Sequence, residues 1–111
     1  STTPSDPTDP NQANNIGATF NFYIETAATD LDIKTDGTDK FKGAILIAVD
    51  DGAKKAFVPA ATNDVITMNG STKGGIVGSI VSFTAIDTAT YLVHSSLLIG
   101  SGTIVTPYAD A

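Results

Sequence analysis

The sequence predicts an all-β fold, a small antiparallel sandwich or barrel preceded by an extended N-terminal arm. Three observations carry that expectation. Apolar runs recur at roughly 8–12-residue spacing, each closed by turn residues. No stretch sustains a 3.6-residue period. One long segment, residues 74–102, reads as two strands around a polar break. There Gly74-Gly75 leads into an apolar run at 76–86, Asp87-Thr88-Ala89 interrupts it, and a second run at 90–99 ends in Gly100-Ser101-Gly102. Val81, Phe83 and Ala85 share one side of an extended chain, and Ser82 and Thr84 share the other. Tyr91, Val93, Leu97 and Ile99 are expected to continue the apolar face, so that 76–86 and 90–99 pair as an antiparallel hairpin. A lone hairpin is marginal in water and needs further strands or a partner surface.

The chain divides into an arm, residues 1–15, and one β domain, residues 16–111. In the arm Pro4, Pro7 and Pro10 recur every third residue among Ser, Thr, Asp and Asn, with no apolar side chain larger than that of Ala13. Such a segment buries too little surface to offset its ordering entropy, and its spacing favours an extended, polyproline-like conformation. The arm is therefore expected to serve assembly and not the fold of the isolated domain.

Residues 16–24 alternate Phe20, Phe22 and Ile24 on one face and form a first strand. Residues 25–42 are polar, with Asp30, Asp32, Asp36 and Asp39 and an Asp36-Gly37 turn; Leu31 and Ile33 allow a short edge strand. The apolar run 43–49 predicts a central strand, turned by Asp50-Asp51-Gly52. Residues 56–58 return until Pro59 ends the pairing. Residues 64–68 form another strand, and Asn69-Gly70 suits the positive φ of a primed hairpin turn. Residues 103–106 read as a last strand before Pro107, with Tyr108 as a terminal plug. Residues 48–53 echo 85–89 weakly, which two hairpins with the same turn chemistry explain without duplication.

Composition narrows the function classes. A chain of 111 residues suits one domain with a modest core. There is no cysteine, so neither disulfides nor thiolate metal ligands support it. The net charge is −6 and every basic residue is lysine. Lacking the arginine fork that grips phosphates and base edges, the sequence argues against nucleic acid, and its acidity argues against anionic membrane. The apolar run at 44–49 is far too short to span a bilayer as a helix. No charged-then-apolar leader opens the chain, and Ser1 is expected to follow removal of a methionine or a longer leader.

No residue emerges as catalytic, cofactor-binding or metal-ligating. Asp30, Asp32, Asp36 and Asp39 could gather oxygen ligands, yet counting an EF-hand loop from Asp32 puts Lys34 at the third position and Gly43 at the twelfth. A solvated acidic loop accounts for them. His94, the lone histidine, lies in a strand pattern without a Gly-x-Ser-x-Gly elbow. The segment 70–75, Gly-Ser-Thr-Lys-Gly-Gly, has P-loop ingredients in the wrong order. Asn69-Gly70-Ser71 fits a glycosylation sequon, but a turn already explains it.

The block 41–111 carries a resemblance. The phrases GAILIAVDDGAKKAFVPAATNDVITMNGSTKGG and GSGTIVTPYADA resemble small virion proteins of tailed bacteriophages, particularly those that decorate or cement the capsid. The resemblance implies a non-enzymatic shell component on the capsid exterior, binding the major capsid protein and copies of itself, with no cofactor, nucleic acid, membrane or small-molecule substrate. It transfers no functional residues. An acidic surface, a compact β domain and a reaching arm suit that role. Its main rival is a subunit of an extracellular filament or surface layer built by strand or arm exchange. Against the rival, residues 1–15 lack the alternating apolar side chains that a donor strand inserts. A carbohydrate-binding module would have only Tyr23, Tyr91 and Tyr108 as polar-tipped platforms, and an enzyme is the least supported class.

Overall fold

The computed structural model describes residues 16–35, 39–50, 52, 54–87 and 89–110. The arm at 1–15 and the expected Asp36-Gly37 turn lie outside the described residues. The fold is all-β. Ten strands occur among the described residues: β1 (Thr19–Tyr23), β2 (Leu31–Lys34), β3 (Lys40–Gly43), β4 (Ile45–Val49), β5 (Lys54–Phe57), β6 (Val65–Met68), β7 (Ile80–Asp87), β8 (Thr90–Val93), β9 (Leu97–Gly100) and β10 (Tyr108–Ala109). They form a larger sheet in the order β3-β8-β7-β9-β4-β5, with β1 on the other edge of β7, and a smaller sheet β10-β6-β2.

One core lies between the sheets. Ile45, Ile47, Val81, Phe83, Ala85, Tyr91, Val93 and Leu98 of the larger sheet meet Ile33, Ile66, Met68 and Tyr108 of the smaller one. Phe83 sits at the centre of its aromatic part. Its ring centroid lies 5.3 Å from Tyr91, 5.4 Å from Phe41, 5.6 Å from Phe22 and 5.7 Å from Phe20. Offset and edge-to-face contacts of this kind add to plain area burial.

The hairpin at the heart of the sequence is present, with two corrections. Its first strand begins at Ile80, not at residue 76. Val77 and Gly78 form a turn, with Gly78 at φ 100° and the Ser79 N–H donating to the Ile76 carbonyl at 3.0 Å. Its second run is split into β8 and β9. β8 pairs with β7 as expected, but β9 meets β7 only at Ile80–Leu97 and otherwise runs beside β4.

The split also inverts the second run. Tyr91 and Val93 are buried as expected, whereas Leu97 faces outward and Leu98 takes the core position. The cause is one extra residue. β3 pairs with β8 from Lys40–Thr90 to Gly43–Val93, and β4 pairs with β9 from Leu46–Leu97 to Val49–Gly100. Two residues, 44 and 45, therefore stand opposite three, 94 to 96, which is a bulge. Ser95 holds its apex at φ 51° and is the one non-glycine residue of positive φ among those described. A one-residue slip moves every later side chain to the other face of the sheet.

Both of these pairings, β3 with β8 and β4 with β9, are parallel, so the larger sheet is mixed where the pattern predicts antiparallel neighbours. Two smaller expectations also change. Residues 103–106 are loop, and the last strand is β10, beyond Pro107. Asn69-Gly70 turns the chain, with Gly70 at φ 76°, but it joins no hairpin of neighbouring strands, because β6 lies between β10 and β2. Asn69 Oδ1 accepts instead from the Ser71 and Lys73 N–H groups, each at 2.9 Å, a local side-chain turn.

Candidate interaction face

Residues directly opposite in a ladder project from the same face of a sheet. On the face of the larger sheet turned away from the core, this register builds one continuous row. Tyr23 pairs with Ile80, Ile80 with Leu97, Leu97 with Leu46, and Leu46 with Ala56. The row crosses five strands, β1, β7, β9, β4 and β5, and at ~4.8 Å per strand it is about 19 Å long. It is open to solvent, with Tyr23 57%, Ile80 43%, Leu97 47% and Leu46 43% exposed. Scattered surface aliphatics need no explanation, whereas a contiguous apolar line makes this face the candidate for contact with a partner. The bulge at 94–96 creates it by turning Leu97 outward.

Charge is distributed unevenly around the row. In the chain as a whole acids outnumber bases by 12 to 6. Yet in β1, β4, β5, β7, β8 and β9 the sole acid is Asp87, at the end of β7 remote from Ile80. Lys54, opposite Ala48, stands beside the Ala56 end of the row. A shallow hollow next to Leu46 and Leu97 is lined by Ala44, Ala48, Lys54, Ser95 and Ser96.

Alongside the row lies a polar ladder. Thr19 Oγ1 and Thr84 Oγ1 are 2.8 Å apart, and Thr84 Oγ1 lies 2.7 Å from His94 Nε2. The Ser82 hydroxyl donates to Asn21 Oδ1 at 2.7 Å. Ser96 fills the gap the bulge leaves in the backbone ladder. Its Oγ accepts from the Ser82 N–H at 2.8 Å and lies within donating distance of the Ser82 and His94 carbonyls, at 3.1 and 3.0 Å. The His94 ring thus meets the hydroxyls of Thr84 and, at 3.3 Å through Nδ1, Ser95. A hydroxyl–imidazole pair suited to nucleophilic catalysis also needs an orienting group and oxyanion donors. The second ring nitrogen here faces a neighbouring serine and not a carboxylate, so the geometry reads as cross-strand bonding.

The aspartates of the 30–39 stretch are not brought together as a ligand set. Asp32 is exposed and lies 4.0 Å from Lys34. Asp39 is buried beside Thr35, whose hydroxyl donates to the Asp39 carbonyl at 2.7 Å. Asp36 lies outside the described residues. Among the described residues no group of three His, Cys, Asp or Glu side chains could hold a metal ion. Lys40 reaches the buried Asp64 at 3.4 Å, which ties β3 to the chain entering β6. Burial raises the Tyr108 hydroxyl above the ordinary phenol range.

Two further hollows lie at sheet margins. Phe22, Tyr23, Leu31 and Ile33 line one, between the edge strands β1 and β2. Phe41, Val58, Pro59, Ala60 and Ala89 line the other, beside β3. No helix among the described residues is long and apolar enough to cross a membrane. Comparison with known proteins finds no matching family model, no matching curated protein and no matching solved structure.

Proposed function

We propose that this chain is a non-enzymatic structural protein of a virion, one that decorates or cements a bacteriophage capsid by binding the capsid lattice and neighbouring copies. The observation that carries the proposal is the five-strand apolar row, laid across a face almost free of carboxylates in a chain of net charge −6. An acidic molecule stays apart from its copies through net repulsion, and a single uncharged face gives it one direction of association. The resemblance of residues 41–111 to capsid-decorating proteins supports the choice of particle. The polar ladder beside the row, with its hydroxyl partners for His94, supports a structural reading over a catalytic one.

The free edges of β1 and β2, each paired on one side among the described residues, favour a second reading: a filament or surface-layer subunit joined by strand addition. Sedimentation of phage particles separates the two. Copurification with a capsid protein in fixed stoichiometry, lost in Leu46→Lys, Leu97→Lys particles, is the expected result. Filaments formed by the purified chain alone through its strand edges, and undiminished by Leu46→Lys and Leu97→Lys, would favour the second reading. Binding to a glycan with no particle association would overturn both.

A further inference from the structure

We infer that the row Tyr23–Ile80–Leu97–Leu46–Ala56 is the seat for the N-terminal arm of a neighbouring copy, residues Pro4 to Pro10 lying across the strands as a polyproline II helix. This rests on the reading of the row as an assembly surface and names its occupant.

The first argument is spacing. A polyproline II helix repeats every three residues and rises ~3.1 Å per residue, so Pro4, Pro7 and Pro10 recur on one edge at about 9.3 Å. Strands stand ~4.8 Å apart, so alternate side chains of the row recur at about 9.6 Å. The six-residue advance from Pro4 to Pro10 covers about 19 Å, the length of the row itself. Prolines can therefore contact the row in step along all of it. Proline-rich ligands dock on aromatic and aliphatic surfaces in this manner, because the helix is already formed and little entropy is lost.

The second argument is chemistry. With three residues per turn, the sequence Pro4-Ser5-Asp6-Pro7-Thr8-Asp9-Pro10 puts proline on one edge, Ser5 and Thr8 on a second, and Asp6 and Asp9 on the third. The arm brings carboxylates and no lysine to a row whose own strands carry no acid but the remote Asp87. Lys54 stands at its Ala56 end, and both Asp32 and Lys34 line the hollow at its Tyr23 end. Strand addition would need backbone pairing at a free edge. A helix crossing the strands needs none, which suits a segment with three residues lacking an N–H.

The third argument is reach. The Gly17 N–H donates to the Ala85 carbonyl at 2.7 Å, so the arm is rooted at the end of β7 far from Ile80. From there to the row is five residues of strand, about 17 Å. The seven steps from Pro10 to Gly17 span at most ~25 Å, so the row of the same molecule is within reach, and a wild type that stays monomeric is the result that would reveal it. Docking within one molecule would need a right-angle turn onto the row, which a neighbour's arm does not.

Mixing two full-length variants tests this. One carries Pro4→Gly, Pro7→Gly and Pro10→Gly, and the other Leu97→Lys. The wild type is expected to self-associate with concentration in sedimentation equilibrium, and each variant alone at least tenfold more weakly. Their mixture should form pairs and nothing larger, since one intact arm and one intact row remain. A labelled peptide of residues 1–15 should bind the triple-glycine variant by fluorescence anisotropy and lose at least tenfold in affinity for a chain that also carries Leu97→Lys. Leu46→Ser, with unchanged thermal melting, repeats the row lesion without adding charge. A monomeric wild type, or self-association untouched by either lesion, overturns the proposal. If row variants abolish particle binding while the arm variant binds and associates as wild type does, the arm is not the occupant and the assembly face stands.

Discussion

The Ser96 hydroxyl stands in for a rung of the backbone ladder, bonding the N–H of Ser82 and reaching its carbonyl. Ser96→Ala would leave that N–H buried without its partner, at a cost of about 1–3 kcal/mol. Urea denaturation checks this, and a loss under 0.5 kcal/mol would mean that the ladder repairs itself. Gly43, on the opposing strand, has φ 98°, and a Cβ there would lie against the Val93 carbonyl oxygen. Gly43→Ala should therefore destabilise on the order of 1–3 kcal/mol by the same measurement, through strain that the lone extra methyl cannot escape. Tyr108 contributes in a different way. Its ring is buried and its hydroxyl has no bonding partner among the described residues, so the folded state favours the neutral phenol. The folded pKa is raised above the unfolded value of 10.0. The stability linked to it is thus fully present below pH ~10 and is lost as pH climbs from there toward the folded value. Tyr108→Phe should leave the neutral-pH melting temperature nearly unchanged and flatten the alkaline decline. An alkaline limb identical to wild type would show that other groups govern it.

Among the elements, β7 is the strand on which the larger sheet turns, with β1 on one edge and β8 and β9 on the other. Phe83→Ala removes its central ring and should cost about 3–5 kcal/mol in denaturant melts; a loss below 1 kcal/mol would place the ring outside the core. β7 was also the most legible element, because Val81, Phe83 and Ala85 alternate with Ser82 and Thr84 without interruption. The rest was less legible for identifiable reasons. Ser95 occupies the left-handed region that Gly or Asn ordinarily advertises, so nothing in its type announces a bulge. Without the bulge, Leu97 reads as core and Leu98 as surface, the reverse of what is observed, while Ile99 is half-buried. The parallel pairings join segments some fifty positions apart in sequence (Lys40 with Thr90), beyond any local periodicity. The candidate face was hidden for the same reason. Leu46, Ile80 and Leu97 are aliphatics in apolar runs, and only the register across β7, β9 and β4 reveals that they share the outer side.

For the molecule as a whole, the order of strands in space departs from their order in the chain. β7, β8 and β9 lie between β1 and the pair β3 and β4. Every strand pairing of β1, and every strand pairing of β4 save that with β5, is made with residues from Ile80 onward. A chain emerging from the ribosome can therefore pair its first strand only once residues 80–84 are out of the exit tunnel, and β4 with β9 only once Gly100 is. Until then Phe20 and Phe22 lack their strand partner, and Ile45 and Ile47 have only the β5 side of theirs. Closure over such sequence separations places refolding in the milliseconds-to-seconds range typical of non-local β topologies. A translation product halted before Ile80 would display its aliphatic strands to whatever chaperone or protease is nearest, so production of this protein in cells should depend on rapid synthesis of residues 80–100.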